Sequence, residues 1–546
     1  MKLTVVTELE IIFNTMFETH STLLELTTGF LLAMPKPNKD RTVDNTRPLT
    51  LLNTIRKILS TTLLNRMRAK ILAYVSLSQL GYLPNRSTTE AVWSLQWIRA
   101  MVERYQERYW LLGLDLSKAF DSLDREELLR IFRDEVGAPE DEMRILRTLL
   151  ADTSLRTRIG KMSGQSFATT IGTPQGDALS PCLFLVYFEF VMRTLDHRFP
   201  PRQEPGDMRI QYADDTHAAF IDKRPPSEII PGPCPPACTC PRCYAEYITE
   251  NLPGVMAELN MQMNADKTER HMLDRENRDA QDFKQLGTNI NQDIEVAARI
   301  WKARGAMRAY HKIWLSKNPT SLRTKMKLFN STVRPHIVQN LHAVPIRRAQ
   351  ADKLDVLHRQ FIRRVAGIFW QRRAGNTEAY KLGECLPISV EIIKLRWRFL
   401  GHILRLPNGV PAKKAMQLYY TERFHGTVAI RRKHRGHAFT SLPSLLAEEF
   451  ALLKGRRFEL TGGALRGIGE FTTREHLQKL TVVAADRQKW RVLADAVADG
   501  ALRRWRAREN RRQHIRDGEE DAEIDPDDEG DIQAQMTPAP RGRRAR

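Results

Sequence analysis

Two aspartates stand side by side, Asp214 and Asp215, in a run that otherwise reads as strand, RIQYADDTHAAF (209–220). Each carboxylate raises the cost of ionising the other. By itself, YADD reads equally well as a hairpin turn, since Asp bonds its own backbone there. A third aspartate, Asp115, comes near the end of the apolar run YWLLGLDLS (109–117), where by itself it reads as a helix N-cap. Three carboxylates delivered by separate strands fit another task. Two divalent ions about 3.5–4 Å apart need bridging oxygens from more than one strand. One ion lowers the pKa of an attacking hydroxyl and the other steadies a leaving phosphate. Bound cations also offset the repulsion between neighbouring aspartates.

A second constellation is CPPACTCPRC, with Cys234, Cys238, Cys240 and Cys243 in a C-x3-C-x-C-x2-C pattern. Four thiolates can satisfy one Zn²⁺, and Cys240 and Cys243 have zinc-knuckle spacing. Zinc sites, however, usually separate their ligand pairs by a longer loop. Pro235, Pro236 and Pro241 suit a disordered surface insertion. The sequence therefore favours an insertion over 224–243 without zinc.

The elements that must position the aspartates follow from periodicity. Residues 90–107 have a helical pattern, with Trp93 and Trp97 at i and i+4. YWLLGLDLS is a buried-strand run, and the amphipathic helix REELLRIFRDEV follows it. LRTRIGKMSGQSFATT predicts a hairpin around Ser163 and Gly164. The loop GTPQGDALSP leads into the apolar helix CLFLVYFEFVMRTL. RIQYADDTHAAFI is two short strands about a turn. A helix over 245–262 and a strand around Phe283 close this unit, and from about 292 the chain is mostly helical. This order predicts an α+β domain with an antiparallel sheet, then a helical region.

Lys and Arg total 85 against 65 Asp and Glu, a net charge of +20 with pI near 9.8. That balance favours a polyanionic partner, most commonly nucleic acid. Asp517 to Asp531 holds ten acidic residues and no basic one; without it the formal charge is +30. This segment reads as a disordered acidic tail, followed by a basic end, RGRRAR. No run of about 18 apolar residues predicts a membrane span. Glu8 and Glu10 stand where a signal peptide is apolar. Six cysteines in such a chain argue against a disulfide framework. The expected location is intracellular, in nucleus or cytoplasm, with no membrane partner.

In order along the chain come AMPKPNKDRTVDNTRPLTLLNTIRKIL, QLGYLPNRSTTEAV, LDLSKAFDSLD, GTPQGDALSPCLF, YADD, LNMQMNADKTE and FKQLG. This series resembles the fingers segment and motifs A to E of the reverse transcriptases of non-LTR (LINE-type) retrotransposons. The resemblance implies a right-hand polymerase with fingers, palm and helical thumb, acting on an RNA template, a DNA or RNA primer and dNTPs. It implies that Asp115, Asp214 and Asp215, with the Leu116 backbone carbonyl, hold two Mg²⁺ ions. Arg47 matches the residue that clamps the incoming triphosphate, a role suited to bidentate guanidinium. Lys36 and Lys39 lie in the adjoining Lys/Pro loop. Gln175 matches a residue packing on nucleotide and template, with Gly176 allowing close backbone approach. Lys267 matches the motif D lysine that assists the departing pyrophosphate. Phe120 matches the bulky sugar gate that favours deoxynucleotides, and Tyr212 the residue packing near the primer end. Alone, each of these side chains reads as core, turn or solvated surface.

The implied divisions are a helical lead-in (1–30), fingers and palm (31–290), thumb and post-thumb helices (291–407), a basic C-terminal region (408–516) and the tail (517–546). KLRWRFLGHILRLP and DRQKWR also resemble downstream blocks of the family, where Arg-rich helices with interleaved Trp suit phosphate contacts and base stacking. No endonuclease is expected in this chain. The alternative to an active polymerase is a catalytically silent, nucleic-acid-binding remnant of such an element.

Overall fold

A computed structural model describes residues 2–19, 23–36, 40, 42–151, 153–224, 234–235, 238, 240–275, 283–315, 319–368, 375–420, 440–453 and 473–517. Lys39, most of the Pro/Cys-rich insertion and the acidic and basic tail lie outside the described residues. The chain has the expected α+β character. Its strands are β1 (Thr28–Pro35), β2 (Thr46–Leu52), β3 (Arg108–Leu114), β4 (Leu116–Ser117), β5 (Ser154–Ile159), β6 (Met162–Ala168), β7 (Met208–Tyr212), β8 (Asp215–Asp222), β9 (Gln262–Met263), β10 (Glu269–Leu273), β11 (Lys284–Gln285) and β12 (Thr288–Asn289).

The central sheet has the order β10-β3-β8-β7, and every neighbouring pair is antiparallel. Strand residues alternate between its two faces. Tyr109 and Leu111 of β3 join Ile210, Ala219 and Ile221 in one apolar core. Leu112 and Leu114 join Ala218 and Phe220 in the other. Both faces are therefore covered, which is why YWLLGL reads as continuous rather than alternating apolar sequence. Helices Ser180–Arg198 and Pro241–Glu258 cover the second face, and helix Thr88–Tyr105 lies on the first. A second sheet, β2-β1-β5-β6, contains one parallel pair, β1 with β5. Its hairpin turns at Gly160 and Lys161, between Ile159 and Met162, and not at Ser163 and Gly164 as the sequence suggested. Gly160 supplies the left-handed conformation (φ +62°) that the turn requires.

The basic helices beyond residue 291 share the first core with the sheet, and the expected division at 407/408 falls inside that core. Helix Pro411–Tyr419 lies against helix Thr88–Tyr105, where Arg104 donates to the Tyr419 hydroxyl at 2.7 Å and Tyr105 to its carbonyl at 2.7 Å. Helix Arg487–Asp517 lies along helix Ile388–Arg405. There Trp490 Nε1 donates to the Trp397 carbonyl (2.7 Å), and Trp397 Nε1 donates to Glu449 (2.8 Å). A Cβ at Gly401 would meet the Trp490 indole at 2.1 Å, so only glycine admits the ring. Trp397, Trp490 and Trp505 are all buried. The stacking role expected of these interleaved tryptophans is thus corrected: their rings pack inward, and Arg396 beside Trp397 is buried as well, donating to Glu449 and to the His342 and Val344 carbonyls. Trp301, by contrast, is 71% exposed. Among the described residues, no helix is long and apolar enough to cross a membrane.

Trp490→Ala should cost about 3–5 kcal/mol, as truncation of a buried aromatic does, and lower the thermal midpoint of the full chain. Trp301→Ala should leave the midpoint nearly unchanged. A thermal melt of both variants checks this, and an unaltered midpoint in Trp490→Ala would contradict the packing of the C-terminal helices.

Candidate active site

Register brings the aspartates together. β3 and β8 pair antiparallel with Leu114 opposite Thr216, so Asp115, just past β3, lies beside Asp214 and Asp215 at the start of β8. Asp115 caps no helix; the N-cap of the following helix, Arg125–Asp134, is Asp124, whose Oδ1 accepts from Glu127 N at 3.0 Å. After Asp115 the chain continues as β4, pairing with β9, with Leu116 opposite Met263. The Asp115 carbonyl accepts from Asn264 N at 2.8 Å. This pairing delivers Lys267, whose Nζ donates to Asp115 Oδ2 at 2.7 Å.

Asp214 and Asp115 are both half-buried. Burial pushes the Asp214 carboxyl up, and the Asp215 and Asp115 charges add to it while Lys267 opposes. Asp215 lies on the other side of the strand, with its Oδ1 2.8 Å from His217 Nε2. The His217 ring packs edge-on to Phe283. The three oxygen-donor groups suit a hard divalent cation, and the Lys267 ammonium already fills the place of a cation at Asp115. Mg²⁺ therefore fits this donor set, with Asp115 and Asp214 as the better-placed ligands and Asp215 turned towards His217.

The turn carrying Asp214 is strained and held from outside. Ala213 adopts φ +59°, uncommon for a residue with a Cβ. The Gln79 side chain clamps it: Oε1 accepts from Ala213 N (2.8 Å) and Gly81 N (2.8 Å), and Nε2 donates to the Ala213 carbonyl (3.2 Å). Leu80 N donates to the Gln211 carbonyl, and Gln211 N to the Ser78 carbonyl. A Cβ at Gly81 would lie 2.3 Å from Ala213 N. Gln79 and Gly81 thus position the aspartates. Their signal was in QLGY, whose Gln-x-Gly spacing carries no evident chemistry until the turn lies against it. Tyr212 pairs with Asp215 across the hairpin and packs against both cores.

Phe120 is partly buried, its ring 4.9 Å from Phe184 and 6.3 Å from Tyr82. Tyr82 is itself close enough to Asp214 to feel its charge. Next to Phe120, Asp121 accepts from Gln175 Nε2 at 3.1 and 3.2 Å. Thr173 N donates to the Phe120 carbonyl and Gly172 N to the Leu123 carbonyl. The loop bearing Gln175 is thereby laced to the segment bearing Phe120. On its other side, the Gln175 carbonyl accepts from Thr50 N at 2.7 Å. Gly176, at φ +133°, would place a Cβ 2.3 Å from the Thr50 carbonyl. The close approach that Gly176 permits in this structure is therefore to β2. Arg56, fully buried, fixes the same loop through Asp177 (2.9 Å) and the Leu26 and Leu149 carbonyls. β2 also carries Arg47, exposed and opposite Met34. Lys36 N donates to the Asn45 carbonyl at the far end of the same hairpin.

A metal ion held at Asp115 would compete with Lys267 for its carboxylate. Lys267→Ala should therefore tighten Mn²⁺ binding to the nucleic-acid-free protein, by up to about fivefold for a solvent-exposed pair. Titration followed by electron paramagnetic resonance checks this, with Asp115→Asn as the weakened control. Unchanged affinity in Lys267→Ala would show that the ammonium does not guard the site.

Residues 34–290 match the family described as "Reverse transcriptase (RNA-dependent DNA polymerase)". The chain is 22% identical, over 394 residues, to the "RNA-directed DNA polymerase from mobile element jockey" of Drosophila melanogaster, covering 68% of this chain and 41% of that protein. It thus spans about two fifths of the length of that curated relative. Two solved telomerase structures are also similar, both in complex with a TWJ fragment of telomeric RNA. The one from Candida albicans has TM-score 0.41 and 10% identity, covering 66% of this chain and 65% of that one. The one from Candida tropicalis has TM-score 0.39 and 10% identity, covering 72% and 64%. With the ordered motifs and the matched segment both in hand, residues 34–290 are a reverse transcriptase domain of the kind carried by non-LTR (LINE-type) retrotransposons.

Proposed function

We propose that this chain is an RNA-directed DNA polymerase that extends a DNA or RNA primer with dNTPs on an RNA template, using Asp115, Asp214 and Asp215 to hold two Mg²⁺ ions. The observation that carries the reading is the convergence of Asp115 and Asp214 at neighbouring strand ends, with Lys267 Nζ 2.7 Å from Asp115 as a resident cation. The bound ions would supply Lewis-acid chemistry, activating the primer 3′-hydroxyl and offsetting charge on the transferred phosphate.

The chain's own residues do the rest. Asp214 is held in place by the Gln79 clamp, so its carboxylate needs little reorganisation on loading. Lys267, once displaced from Asp115, is free to face the pyrophosphate side and donate a proton or neutralise charge there. Gln175, on the loop adjoining β2, lines one cleft with Pro48, Thr50 and Asp121, and Arg47 is an exposed residue of β2 next to Pro48. Arg47 suits a triphosphate clamp and Gln175 suits contact with the nucleotide and template. Phe120, with Tyr82 beside it, suits the floor under the sugar. In this reading 31–290 are fingers and palm and 291–407 the thumb, with Leu116 lending its carbonyl to one ion and Tyr212 lying near the primer end.

Asp115→Asn and Asp214→Asn should each remove nearly all primer extension while leaving template binding intact, because these groups act on chemistry and not on the basic helices. Extension on poly(rA)/oligo(dT), run beside filter binding, checks this. Near-normal turnover in Asp115→Asn would sink the assignment, and inactive wild-type protein that still binds RNA would favour a silent remnant.

Phe120→Val should relax discrimination against ribonucleotides, mainly by improving their use. A gate worth about 3 kcal/mol appears as more than a hundredfold change in the ratio of kcat/KM values. Single-nucleotide incorporation of dGTP and GTP measures it, alongside a thermal melt. Equal loss on both nucleotides with a lowered melting point would instead make Phe120 core packing against Phe184.

A further inference from the structure

The four cysteines of the insertion converge. The sulfurs of Cys234, Cys238, Cys240 and Cys243 all lie within 4.8 Å of one another, although their spacing is short. The Cys234 and Cys240 sulfurs are 3.8 Å apart. A tetrahedral Zn²⁺ with Zn–S bonds of about 2.3 Å sets its sulfurs about 3.8 Å from each other. All six cysteines of the chain are free thiols in this structure.

The local backbone explains how so short a motif closes. Cys240 is the N-cap of helix Pro241–Glu258, and its Sγ accepts from Cys243 N at 3.5 Å. Pro241 starts that helix at the position where its missing N–H is not needed. The first helical turn therefore sets Cys243 beside Cys240. Cys238 N donates to the Pro235 carbonyl at 3.3 Å, which ties Cys238 to the residue after Cys234. Negative charge is favoured at the N-terminal end of the helix dipole. Two guanidiniums adjoin the cluster, Arg224 and Arg242, each also paired with a carboxylate, Asp222 at 2.9 Å and Glu246 at 3.0 Å. Zinc with four thiolates carries a formal charge of −2, which these cations partly offset.

We infer that Cys234, Cys238, Cys240 and Cys243 form a structural zinc site, a closed four-thiolate centre separate from the magnesium-binding aspartates. On binding, four S–H groups release their protons to solvent and four Zn–S bonds form, with no change of oxidation state. A closed set of four protein ligands leaves no position for substrate, so the role is structural. The centre lies near Arg224, past the end of β8 opposite Asp215, and β8 itself is about 24 Å long at ordinary strand rise. It joins the exit of β8 to the helix whose Ile248, Leu252, Val255 and Met256 pack under the central sheet. The metal would close the loop between β8 and that helix and so brace the sheet from the side away from the chemistry.

The test uses the full-length, tag-free chain, purified without chelator. Elemental analysis should find about one zinc per chain. Asp115→Asn should keep it, and the double variant Cys240→Ser/Cys243→Ser should lose it. If the double variant fails to fold, two measurements on wild type decide. Co²⁺ exchanged into the site should give the visible bands and thiolate charge transfer of a tetrahedral sulfur centre. A mercurial titrated against the cysteines should release the zinc into a chromogenic chelator. Removing the zinc should lower the melting temperature, and restoring it should recover the loss. Protein that neither holds zinc nor develops the cobalt bands would overturn the proposal. So would an intact mass four hydrogens light under non-reducing conditions, which would make the four sulfurs two disulfides.

Discussion

The arrangement rests on the register between β3 and β8. Because strand side chains alternate with a period of two, a slip of one residue would turn every core residue of β3 to the wrong face. It would also carry Asp115 away from Asp214. Both sides of the sheet are apolar, so burial alone does not set this register; the fit of Leu111 in one core and Leu112 in the other does. A site built from repelling carboxylates gains nothing from its own contacts. It therefore depends on apolar packing elsewhere to hold the charges together, and on Gln79 to hold the Ala213 turn in its left-handed conformation.

The same logic governs the loop with Gln175. Its position is set by Arg56, Arg125, Asp121 and Thr50, none of which need touch a nucleotide. Arg125 donates to the Gly172, Thr169, Leu150 and Ile171 carbonyls from a buried position. Buried guanidiniums whose donors go mainly to backbone carbonyls act as internal struts, and the cost of burying their charge is offset by these bonds. The positive charge of such struts lies inside and is not available to a polyanion.

The strands, the helices and the aspartates were legible in the sequence because each has a local signature: apolar runs, 3.6-residue periodicity, paired Asp. The ordered motifs made the domain legible as well. What was not legible depended on partners distant in sequence. Gln79 and Gly81 act on a turn more than 130 positions away, so their spacing looked inert. The hairpin turn was misplaced because Ser163-Gly164 and Gly160-Lys161 offer similar turn chemistry, and the strand pairing decides between them. The tryptophans of the C-terminal helices looked available for stacking because their neighbours are arginines. Only the facing helix, with Gly401 making room for Trp490, turns them inward. The cysteine spacing looked too short for a metal because the compaction comes from a helix cap, which spacing rules do not include.

Helix Thr88–Tyr105 is buried over nearly its whole circumference, and its Trp97 packs on Tyr419, 322 positions later. At ribosomal speeds of about 5–20 residues per second, that partner is made roughly 15–65 s after the helix. For all that time the part of the helix surface that Tyr419 and Tyr420 cover, with Trp97 in it, lacks its partner. The wait is a property of the topology, since the sheet face on which the helix lies is completed by chain from both ends of the molecule. Birth, for this protein, is its most aggregation-exposed moment, and chaperones that hold apolar segments on nascent chains are the natural counterpart of so late a closure.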